Sequence, residues 1–111
     1  MRNAFLIIAV LQGCALEPAD LRTQGTLREA KSHQAVELVA QCVQRNALET
    51  GIPANVAVPA DNPAAREVFG SYTYIVRIDP AAHGSAIRIR SQPMLLQYEH
   101  EKFLDPLTKG C

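Results

Sequence analysis

The sequence predicts an α+β fold: an N-terminal helix packed on a small antiparallel sheet, with a short C-terminal helix. Three observations predict it. Apolar residues recur at helical spacing ahead of Gly51 and Pro53, two alternating runs flank a Pro/Gly turn, and an amphipathic stretch follows Pro93. A chain of 111 residues holds one domain at most, and 48% apolar content is enough to build a core.

The first helix opens at Thr26-Leu27-Arg28-Glu29, which fits a capping box, with Ser32 as an alternative start. It runs to about Glu49. Ala35, Leu38, Val39, Cys42 and Val43 fall on one face, and Arg28, Lys31, Glu37, Gln41, Gln44 and Arg45 supply the polar surface. Gly51 is positioned as a left-handed cap and Pro53 prevents continuation.

Val56-Ala57-Val58 is a short strand candidate, followed by turn chemistry at Asp61-Asn62-Pro63. A longer strand spans about residues 67–78, where Tyr72, Tyr74, Val76 and Ile78 alternate with Thr73, Ile75 and Arg77. Asp79 to Gly84 makes the turn, and residues 85–91 form the return strand with Ile87 and Ile89 on one face. The hairpin 67–78/85–91 should lay its apolar face on the helix. From Met94 to Lys109 the chain reads as an interrupted helix. Asp105-Pro106 opens a last turn, and Leu96, Phe103 and Leu107 share a face.

Eleven basic and eleven acidic residues balance, so the chain lacks the basic footprint with which a nucleic-acid binder neutralises phosphates. Trp is absent and aromatics are few, which removes stacking platforms. His33, His83 and His100 are scattered without metal-ligand spacing. Gly70-Ser71 and Gly84-Ser85 lack the flanking pattern of a nucleophile elbow. No metal site, catalytic residue or cofactor is implied. Arg77, Arg88 and Arg90 are the one notable cluster: with the hairpin in register they project from the face opposite Ile87 and Ile89. There they could contact an anionic partner or form an ordinary solvated face with acids such as Glu67.

The N-terminus carries a different signal. Arg2 precedes the apolar run Ala4–Leu11, which is too short to cross a hydrocarbon core, and Leu11-Gln12-Gly13-Cys14 follows. This resembles the lipobox of bacterial lipoprotein precursors, with Leu11 three residues before the cysteine and the small Gly13 just before it. Gln12 departs from the smaller residues usual at its position. The resemblance implies that residues 1–13 are a signal peptide, that Cys14 is alkylated with diacylglycerol, and that cleavage falls between Gly13 and Cys14. It also implies residues 14–25 as a tether and residues 26–111 as a single domain. Ala15 rather than Asp follows the cysteine, which by analogy with enterobacterial sorting favours the outer membrane facing the periplasm.

Lipidation of Cys14 would leave an even pair, Cys42 and Cys111. A disulfide between them closes a loop of about 70 residues, worth roughly 4 kcal/mol in the chain-entropy treatment. The functional expectation is a non-enzymatic, membrane-anchored envelope lipoprotein serving as an adaptor or accessory binding protein. Its partners would be membrane lipid through the anchor and an envelope protein, with no nucleic acid. The alternative is a periplasmic inhibitor or exclusion factor against a muramidase, protease or phage protein, with Asp79–Gly84 as its exposed loop.

Overall fold

The computed structural model describes residues 16–71, 73–93 and 104–111. The lipobox Leu11–Cys14, Tyr72, and the Met94–Phe103 part of the expected C-terminal helix, with Leu96 and His100, lie outside them. In chain order the elements are α1 (Pro18–Gln24), β1 (Thr26–Ser32), α2 (Val36–Thr50), β2 (Asn55–Ala57), β3 (Arg66–Gly70), β4 (Tyr74–Ala81) and β5 (Gly84–Ser91), then a 3-10 turn at Asp105–Thr108. The strands form one antiparallel sheet in the order β1-β5-β4-β3-β2. The α+β class holds.

α2 covers one face of this sheet. Val39, Ala40, Val43 and Ala47 pack onto Val68, Tyr74, Val76, Ile78, Ile87 and Ile89, with Leu104 and Leu107 closing the layer. The alternation read in β4 and β5 is therefore what selects their core face. Gly51 ends α2 in the left-handed conformation, φ 86°, and its N–H bonds the Leu48 carbonyl. The loop that follows is held from both layers. Gln44 Nε2 donates to the Ala54 carbonyl at 3.1 Å, and the Tyr74 hydroxyl donates to the Ile52 carbonyl at 3.2 Å.

The C-terminal turn is fixed to α2 in three ways. Leu104 and Leu107 are fully buried. Asn46 Nδ2 donates to the carbonyls of Leu107 and Lys109, at 2.9 and 3.0 Å. One helical turn earlier, Cys42 is disulfide-bonded to Cys111, with Cα atoms 5.7 Å apart and a sequence separation of 69. Arg28 adds an ion pair from β1 to Asp105.

Several sequence expectations are corrected. Thr26–Glu29 is not a helix start but the beginning of β1, whose seven residues pair along β5 from Thr26↔Ser91 to Ser32↔Ser85. The backbone pairing offered by β5 outweighs a local capping pattern. Ser32 ends that strand and shapes the turn into α2, accepting from the Gln34 N–H and donating to the Cys111 carbonyl. The buried stripe of α2 is centred on Val39 and Val43, so Ala35 and Leu38 are exposed, Leu38 by 54%. Leu38 precedes Val39 by one residue, a rotation of about 100° that takes it off the core. Cys42, by contrast, is buried, at the margin where the C-terminal turn docks.

The single strand expected over 67–78 is two strands folded on each other. Thr73 N–H bonds the Gly70 carbonyl at 3.0 Å to close the turn, and Ser71 takes φ 52°. Gly70 is required because the Tyr74 ring lies across it: a Cβ there would sit 2.5 Å from Tyr74 Cζ. The expected turn Asp79–Gly84 is mostly strand, since Asp79, Pro80 and Ala81 pair with Ala86, Ser85 and Gly84 and leave Ala82-His83 as a two-residue connection. Part of the expected tether is also structured. α1 occupies residues 18–24, Leu21 is only 1% exposed, and Leu16 exchanges two 2.8 Å hydrogen bonds with the Gln92 side chain.

Candidate functional site

Arg77, Arg88 and Arg90 do share the sheet face opposite Ile87 and Ile89. Register builds the site there. Glu67, Arg77, Arg88 and Glu29 stand directly opposite one another in a row across β3, β4, β5 and β1. The neighbouring row is Phe69, Ile75, Arg90 and Leu27. Two like charges directly opposite on adjacent strands, as Arg77 and Arg88 are, oppose sheet formation unless a counter-charge sits between them.

Asp79 supplies that counter-charge. Its Oδ1 lies 3.0 Å from Arg77 Nη2 and its Oδ2 lies 3.3 Å from Arg88 Nη2. Asp61, from the loop before β3, forks onto Arg77 with Nη1–Oδ1 at 3.0 Å and Nη2–Oδ2 at 2.9 Å. This bidentate geometry is the strong form of the arginine–carboxylate pair. The Arg77 hydrogen bonds hold the Asp61 carboxyl below its usual range, and those carboxylates in turn raise the Arg77 guanidinium above its ordinary value.

α1 closes the other side. Arg22 pairs with the buried Glu67, Nε–Oε2 3.2 Å and Nη2–Oε1 3.3 Å. Arg90 Nη1 donates to the Gly25 carbonyl at 2.9 Å, at the junction of α1 and β1. Together Arg22, Glu67, Ile75, Arg77, Arg88 and Arg90 line a cleft of about 150 Å³. Arg22, Arg77, Arg88 and Arg90 face Asp61, Glu67 and Asp79, and Glu29 of β1 stands opposite Arg88, four cations against four anions.

The arrangement is chiefly an internal charge ladder that fastens α1 and the Asp61 loop to the sheet. Arg77 is committed to two carboxylates and is 18% exposed. Arg88, 53% exposed with one partner at 3.3 Å, and Arg90, bonded to a backbone carbonyl, are the members with charge left to offer an anion. Sequence reasoning found the three arginines and Glu67 but missed Arg22, Asp61 and Asp79. Asp79, two residues after Arg77 on one strand, shares its face by alternation and was legible in principle. Arg22 was not, because nothing local says that residues 18–24 dock on the sheet.

His33 and His83 line one shallow hollow with Lys31, Ser32, Ala81, Ala82, Ser85 and Ala86. Among the described residues no group of three or more His, Cys, Asp or Glu could hold a metal ion, and no described helix is long and apolar enough to cross a membrane. Comparison with protein-family models, curated proteins and solved structures returns no match to this chain. The class the observations define is thus a small disulfide-bonded α+β domain with one apolar and one charged sheet face.

Proposed function

We propose that this chain is an exported bacterial lipoprotein, held to the envelope membrane through a lipid on Cys14, and that its domain acts by binding an envelope partner rather than by catalysis. The observation that carries this reading is the distribution of cysteines. Two of the three are bonded to each other, and the third stands immediately after Leu11-Gln12-Gly13. A disulfide joining a buried helix position to a docked C-terminal turn belongs to an oxidising compartment, which export supplies. The partner reading rests on Arg88 and Arg90, the members of the charged face best able to reach an acidic surface. Residues 16–24 lie along that same side of the sheet, so the anchored end of the chain and the charged face would be presented together.

The test uses the full chain in a bacterium that processes lipoproteins, fed radiolabelled palmitate. The wild-type protein should take up label and sediment with membranes. Cys14→Ser should remain unlabelled and uncleaved. Equal labelling of the two, or a wild-type chain that stays soluble and unlabelled, would contradict the anchor.

A further inference from the structure

The two edges of the sheet are built differently. β2 is three residues long and flanked by Pro53 and Pro59, the usual means of blunting an edge. β1 has seven residues, no proline and mostly exposed side chains, and among the described residues no strand pairs with its outer side. Such an edge is a template for another strand.

We propose that this edge pairs with the same edge of a second copy, β1 antiparallel to β1, giving a continuous ten-stranded sheet. A twofold axis perpendicular to the sheet keeps the two core faces on one side. Residues of like face must then stand opposite each other, and the register must centre on a residue. Centring on Arg28 or Glu29 sets Arg28 against Arg28 or Glu29 against Glu29. Centring on Lys31 sets lysine against lysine. Centring on Ala30 places Glu29 opposite the partner's Lys31 and Lys31 opposite the partner's Glu29, with Arg28 facing the partner's Ser32 and Ala30 facing the partner's Ala30. Charge complementarity thus selects one register, and opposite charges directly across a strand pair favour pairing. Glu29 and Lys31 are both exposed and neither has an ion-pair partner among the described residues. α2 packs over β2, β3, β4 and β5, on the far side of the sheet from this edge. The pairing does not depend on the lipid anchor.

The test co-produces two differently tagged full-length copies and measures their co-purification in mild detergent. Wild-type copies should co-purify. Glu29→Lys alone or Lys31→Glu alone turns two attractive pairs into two repulsive ones and should cut recovery about fivefold or more. One copy bearing Glu29→Lys and the other Lys31→Glu should restore it, as should the double swap in both copies. Ala30→Cys should give a dimer on a non-reducing gel, whereas Glu29→Cys, offset across the axis, should not. Recovery indifferent to the swaps, an Ala30→Cys chain that stays monomeric, or one that cross-links only to a different protein would each overturn the proposal.

Discussion

The two faces of the sheet are stabilised by different physics. On the α2 face the core is apolar, buried and flanked by a covalent bond, with the ion pairs Glu37–Arg66 and Arg28–Asp105 only at its margin, so the layer depends little on salt. On the other face the buried apolar residues include Leu21 and Ile75, and much of the organisation among the described residues is ionic: Arg22–Glu67, Arg77–Asp61, Arg77–Asp79 and Arg88–Asp79. One face makes the domain stable; the other fixes the position of α1 and holds its charges where a partner could reach them. A binding surface can be assembled this way because partly exposed ion pairs contribute little each and exchange partners at small cost.

The comparison can be broken most forcefully at the disulfide. Replacing Cys42 and Cys111 together by Ser should lower unfolding stability by about 4 kcal/mol, the entropy of a 69-residue loop. Chemical denaturation of wild-type and variant protein measures it, and the difference should be independent of salt. On the charged face, Asp79→Asn leaves Arg77 and Arg88 opposed without their shared carboxylate. The expected loss is about 1–2 kcal/mol, and unlike the first it should shrink as ionic strength rises.

The smallest effect sharpens the comparison, because it places one titrating group on the apolar face. Burial pushes the Tyr74 hydroxyl up to about 12. A raised folded-state pKa contributes stability that is complete below the unfolded value near 10 and is lost as pH rises toward 12. Tyr74→Phe should cost about 1 kcal/mol at neutral pH through the lost bond to Ile52. It should also remove that part of the alkaline fall in stability, which a pH series of thermal melts would read.

What could be read from the sequence follows the same division. α2 and the β4–β5 hairpin were legible because burial on one side imposes period and alternation. Gly51 stopped the helix where a left-handed cap was expected. β1 was hidden because an edge strand buries almost nothing: Thr26-Leu27-Arg28-Glu29-Ala30-Lys31-Ser32 has helix-forming composition and takes its structure from β5. The break between β3 and β4 was hidden because Ser71–Thr73 carries no proline, asparagine or aspartate, and its one turn signal, Gly70, is explained by the Tyr74 ring above it. The arginine cluster was visible by alternation. Its neutralisation was only partly visible, since Asp61 and Arg22 arrive from a loop and a helix distant in sequence.

The central claim is that three cysteines divide into one anchor and one staple. Intact-mass and peptide mass spectrometry of the protein from the membrane fraction, without reduction, tests both halves at once. The account predicts an N-terminal acylated Cys14 with residues 1–13 removed, and a Cys42 peptide covalently joined to the Cys111 peptide. A chain retaining Met1 and an unmodified Cys14 thiol, or Cys14 found in a disulfide with either of the other two, would contradict it.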